Sequence, residues 1–132
     1  MKIPSENELD RIRREYPVGT IIELISMPDK FAPPKGTLGE IEGVDDLGDI
    51  LVRWQTGSSL KVILSEDRIR KVNGAITICY GHREYWRRRK EAADHFFEGL
   101  CATEGSECER YSKIYAELIR GETVCSDEYE DL

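Results

Sequence analysis

The sequence predicts an α+β protein: a small, strongly bent antiparallel β-barrel with one short helix before it and an α-helical hairpin after it. Three observations carry that expectation. Between residues 20 and 80 the apolar residues recur at short, strand-like spacing; Gly, Asp, Asn and Pro clusters interrupt them every few residues; and from Gly81 onward the apolar spacing becomes helical.

The first element is "SENELDRIRRE", residues 5 to 15. Ser5 and Glu8 stand in capping-box spacing, Leu9, Ile12 and Tyr16 share one stripe, and Pro17 and Gly19 end the helix. "TIIELIS" is apolar on both sides around Glu23, as in a strand buried on one face and partly covered on the other by the N-terminal helix. Three prolines make "MPDKFAPPKG" a rigid surface loop, because proline lacks the donor a central strand needs.

Three strands are expected next, "TLGEIEGV", "DILVRW" and "SLKVILS", separated by Asp45-Asp46-Leu47-Gly48 and Gln55-Thr56-Gly57-Ser58. Ile50, Val52 and Trp54 share one face, as do Leu60, Val62 and Leu64, and these two rows form the expected core. "DRIRKV" follows, and Asn73-Gly74 signals a hairpin into "AITICY". Five or six short strands so spaced point to a barrel.

From there, "REYWRRRKEAADHFFEGLCATEG" places Tyr85, Ala92, Ala93, Phe96, Phe97, Leu100 and Cys101 at helical spacing, with Gly105 as a stop. Ser106 and Glu109 form a second capping box that opens "ECERYSKIYAELIRG", which Gly121 ends. The expected division is residues 1–78, helix plus barrel, and residues 79–132, helical hairpin plus acidic tail.

Composition narrows the function classes. With 34% charged and 39% hydrophobic residues the chain is a well-solvated folded protein, and a net charge of -7 argues against bulk attraction to nucleic acid. No apolar run approaches the roughly 20 residues needed to span a bilayer, and "MKIPSENELD" has no apolar signal core, so a cytoplasmic location is expected. The four cysteines, Cys79, Cys101, Cys108 and Cys125, are then expected as thiols.

Candidate chemistry is sparse. Asp45 and Asp46 are adjacent and no glutamate closes a calcium loop, so Asp45-Asp46-Leu47-Gly48 reads as a turn. Cys79 and His82 offer one half of a zinc site in C-x-x-H spacing, with no second knuckle, and neither metal nor cofactor is expected. No nucleophile, base and orienting group are marked together, so no catalytic residue is assigned. Trp54 could line a ligand cage with Tyr16 and Phe31, but a core or rim position suits it better.

The distinctive feature is electrostatic. Residues 83 to 90 hold five basic groups and one acid, whereas residues 91 to 132 hold three basic and twelve acidic. Positive charge at a helix start opposes the helix dipole, and pairing with the acidic tail, or plain solvation, is the simplest account of it. The alternative is a nucleic-acid contact by Arg83, Arg87, Arg88, Arg89 and Lys90 with Trp86 or Tyr85 stacking.

Residues 17 to 72 resemble the family catalogued as domain of unknown function 4314, found in small proteins of phages, plasmids and conjugative elements. The match runs through Gly19, Glu23-Leu24, Met27, Asp29, Ala32-Pro33-Pro34, Gly36-Thr37, Gly39, Val44-Asp45-Asp46, Gly48, Val52, Trp54, Gly57-Ser58-Ser59-Leu60 and Glu66-Asp67. Gln55 stands where such sequences usually carry an acid. The same stretch looks like Tudor-like and KOW-like small barrels, which bind peptides, proteins or RNA. The tail, from Glu104-Gly105-Ser106 to Val124-Cys125-Ser126-Asp127, is similar to a helical-hairpin ending in other small mobile-element proteins.

The resemblance implies a bacterial mobile element, where small acidic proteins often block host defences, anti-CRISPR proteins among them. The functional expectation is a non-enzymatic protein-binding module that engages a host or element-encoded protein, with a defence nuclease as one such target. Glu107, Glu117, Asp127, Glu128, Glu130 and Asp131 form its expected partner-binding acidic face. A nucleic-acid-binding accessory protein using residues 83 to 90, and a metal-dependent or metal-stabilised module through Cys79 and His82, are the alternatives.

Overall fold

A computed structural model describes residues 3–129, so Glu130 and Asp131 of the expected acidic face lie outside the described residues. The chain is α+β, with three helices and two sheets among the described residues, and divides into two compact units between Val72 and Asn73. That division falls six residues before the boundary read from the sequence.

In the first unit α1 (Glu6–Glu15) begins as its capping residue dictates: Ser5 Oγ accepts the Glu8 amide at 3.2 Å. The sheet contains β1 (Ile21–Ser26), β2 (Leu38–Val44), β3 (Ile50–Trp54) and β4 (Arg68–Lys71), all antiparallel, in the order β3-β2-β1-β4. Its core joins Ile22, Leu24, Ile41, Ile50, Val52, Trp54 and Val62, and the Trp54 indole donates to the Leu60 carbonyl at 2.9 Å. Buried Glu23 pairs with Arg70, its register partner on β4, at 2.5 Å.

The sheet does not close into a barrel. "SLKVILS" contributes only one bridge, Val62 to Ile50, instead of a strand. The reason is local: the Asp67 carboxylate accepts the Ile63 amide at 2.8 Å, and the Ile63 carbonyl accepts the Glu66 and Asp67 amides, so the chain turns immediately after Val62. Of the expected row Leu60, Val62 and Leu64, only Val62 is fully buried.

The second unit contains β5 (Ala75–Cys79), β6 (His82–Trp86), α2 (Arg89–Ala102), α3 (Gly105–Arg120) and β7 (Val124–Ser126). β5 is central, antiparallel to β6 and parallel to β7. Asn73-Gly74 therefore makes no hairpin from β4 to β5, which belong to different sheets. Gly74 is needed for space: a Cβ there would lie 1.9 Å from the Trp86 carbonyl.

The expected long helix starts late because 82–86 is a strand. Tyr80-Gly81 forms a two-residue hairpin loop with both φ angles positive, at 52° and 76°, the backbone that matches the twist of paired strands. α3 begins at Gly105, one residue before the expected cap Ser106, with no side-chain cap at Glu104. Its end is as expected: Gly121 adopts φ 89° and its amide returns to the Leu118 carbonyl. The helices cover the sheet through Ala92, Phe96, Ile114 and Leu118, which pack with Ala75 and Cys125.

Candidate partner-binding site

β7 pairs alongside β5, and the Asp127 amide continues that pairing to the Ile78 carbonyl at 3.1 Å. The Asp127 side chain is thereby carried inside, with none of its surface exposed. One of its oxygens, Oδ2, accepts both the Tyr80 amide at 2.8 Å and Arg110 Nη1 at 2.9 Å. Burial opposes the charge on Asp127, but these hydrogen bonds and the Arg110 charge outweigh it and hold the carboxyl below the ordinary aspartate value.

The consequence is seen at Tyr80. A bulky side chain rarely adopts positive φ, and Tyr80 is the only non-glycine residue that does so among the described residues. Asp127 holds its amide, and the Arg110 guanidinium carbon lies 4.4 Å from its ring centroid. Tyr80 is still 60% exposed. Beside this arrangement, Ser106, Glu109, Arg110, Asp127 and Tyr129 line a small cavity of about 200 Å³.

The expected acidic face separates into two kinds of residue. Glu107 and Glu128 are exposed, together with Glu104 and Glu109 near the bend between α2 and α3. Asp127 is internal, and Glu117 is mostly buried, accepting Lys113 Nζ at 3.3 Å and the Ser126 amide at 3.4 Å. These two acids hold the fold together and do not form an open face.

The basic run is likewise split, between β6 and the start of α2. Arg89 donates to the carbonyls of Leu118, Glu122 and Gly74, tying the end of α3 to the start of β5. Lys90 pairs with Asp94 at 2.8 Å and Arg88 with Glu91 at 4.0 Å. Trp86 donates to Thr77 Oγ1 at 2.9 Å and packs against His95 and Phe96. Arg83 is half-buried and Arg87 exposed.

Cys79 and His82 face each other as a register pair of the β5–β6 hairpin. Among the described residues no group of three or more His, Cys, Asp or Glu side chains is arranged to hold a metal ion. Burial and the nearby Asp127 raise the Cys79 thiol pKa, and burial pushes Cys125 up to about 11, so neither thiol is activated. All four cysteines are free thiols.

In the first unit, Asp45 organises the turn expected of it. Its carboxylate accepts the Leu47 and Asp49 amides, each at 3.0 Å, and Lys61 Nζ at 3.0 Å. Arg13 of α1 reaches the Val44 carbonyl and Asp46, and Gly48, at φ 84°, lets Ile12 and Pro4 pack closely over the turn.

Tyr80 and Arg110 were absent from the candidate residues read from the sequence. The available signal was the Tyr80-Gly81 pair between two alternating runs, and the helical spacing beyond it obscured that signal. No helix of the described residues is long and apolar enough to cross a membrane.

Fold and site together define a two-unit α+β protein in which a four-stranded open sheet precedes a helical hairpin packed on a second sheet. The profile of domain of unknown function 4314 (DUF4314) matches residues 5–72, just over half of the chain, and the protein belongs to that family. No curated protein matches it significantly. The match ends where the first unit ends, so Tyr80, Arg110 and Asp127 all lie beyond the family domain.

Proposed function

We propose that the chain is a non-enzymatic protein-binding module of a bacterial mobile genetic element, and that its second unit engages the partner through Tyr80 and the exposed acids around it. The observation that carries this reading is the construction at Tyr80. An exposed aromatic ring is held on a strained backbone by a fully buried carboxylate and an arginine stacked on its face. Strain of this kind costs about 1–3 kcal/mol and persists where the surroundings impose it, most often at functional positions.

A rigid tyrosine is a favourable interface anchor because it brings a large contact area at little entropic cost. Glu107 and Glu109 give the surroundings negative charge, which suits a basic partner surface and speeds its encounter. Basic grooves of that kind are what defence nucleases use to hold nucleic acid, so the particular target we propose is such a nuclease complex, in the cytoplasm. The test is target cleavage by purified defence nucleases with and without the protein. Inhibition that Glu107→Lys/Glu109→Lys abolishes is the expected result, and undiminished cleavage at saturating protein rejects the inhibitor role.

A further inference from the structure

Turned about 100° from the core-facing side of the hairpin is a second apolar surface, since each of its residues follows a core residue by one position. Ala93 and Phe97 follow Ala92 and Phe96 on α2, and Tyr115 and Ile119 follow Ile114 and Leu118 on α3. They line an open groove of about 470 Å³. Phe97 packs on the Tyr115 ring at 5.5 Å yet is 49% exposed, and Ile119 is 63% exposed. Tyr115 also packs against the core beneath it, whereas the exposure of Phe97 and Ile119 to water is a cost that docking would remove.

The rim indicates what docks. A groove built for a basic or an acidic peptide would carry one sign of charge, whereas this one carries both, one helical turn apart on a single helix: Lys90 and Asp94, both exposed. Arg120 and Glu122 repeat the alternation at the end of α3. A surface that meets its own copy about a two-fold axis must be complementary to itself, and paired opposite charges on either side of a small residue satisfy that requirement.

We propose that the partner at this groove is a second copy of this chain. The two hairpins pair about a two-fold axis passing near Ala93. Phe97 and Ile119 are covered, Lys90 of each copy faces Asp94 of the other, and the two helical hairpins form two facing layers.

Sedimentation velocity on the full chain, from about 1 to 100 μM, tests this. The expected result is a concentration-dependent monomer–dimer equilibrium. Phe97→Glu and Ile119→Glu, at exposed positions, should each raise the dimer dissociation constant about tenfold or more. Lys90→Asp and Asp94→Lys should each weaken the dimer, and the two together should restore it, since the swap preserves self-complementarity. A chain that stays monomeric over the whole range overturns the proposal, as does a dimer unaffected by all of these substitutions.

Discussion

A single oxygen of Asp127 organises the end of the second unit, accepting one backbone amide and one guanidinium group. Asp127→Ala leaves the Tyr80 amide without its acceptor and Arg110 without its acid, and is expected to destabilise that unit by about 2–3 kcal/mol. Because the folded carboxyl titrates below its unfolded value, its contribution is complete above about pH 4 and is lost as pH falls through the lower folded value. Denaturation midpoints between pH 7 and pH 3 should therefore fall on acidification, and Asp127→Asn should flatten the lower part of that curve. Asp49 has the opposite sign: burial first, then the charges of Asp45 and Asp67, raise its pKa. Its charged form is a cost at neutral pH that acidification relieves, so Asp49→Asn should raise the first unit's midpoint at pH 7; a lowered midpoint contradicts this sign. The role of Asp45 was legible in the sequence, since an aspartate two residues before Leu47 and three before a glycine marks a local turn. The role of Asp127 was not, because its burial depends on β7, whose three residues are too few to show a pattern.

At the level of elements, α1, β1, β2 and β3 follow the sequence because each carries its own cap, turn or alternating run. Two elements departed from expectation for identifiable reasons. Residues 59 to 65 alternate like a strand, but the Asp67 carboxylate captures the Ile63 amide and turns the chain. Residues 82 to 86 fit helical spacing through Tyr85, but pairing with β5 and the Trp86–Thr77 hydrogen bond impose a strand. Where β2 and β3 cross, Gly39 faces Trp54 in the register, and a Cβ there would lie 2.6 Å from Val52 and 2.8 Å from the Trp54 ring. Gly39→Ala should accordingly cost about 1–3 kcal/mol, measured as a lowered midpoint in urea.

Across the whole molecule, the two cores share no residue, and each unit contains one of the two tryptophans, Trp54 in the first and Trp86 in the second. Single-tryptophan variants, Trp86→Phe and Trp54→Phe, allow each unit's unfolding to be followed by its own fluorescence. Gly39→Ala should move the Trp54 transition and leave the Trp86 transition in place; equal movement of both indicates one cooperative unit. The family match and the candidate site also fall on opposite sides of the division at Val72. The family domain was visible because its glycines, prolines and Trp54 mark turns and one core position in order along the chain. The site was hidden because Tyr80, Arg110 and Asp127, spread over nearly fifty residues, meet only once β7 has paired with β5.

The most direct test of the binding role is affinity capture from bacterial lysate, using the intact chain alongside Tyr80→Gly and Glu107→Lys/Glu109→Lys. Glycine suits the positive φ and should leave the fold intact, which circular dichroism can verify. The expected result is a protein retained by the intact chain, released by added salt, and lost with both variants. Capture that is equally strong with Tyr80→Gly and with the charge-reversed variant contradicts it.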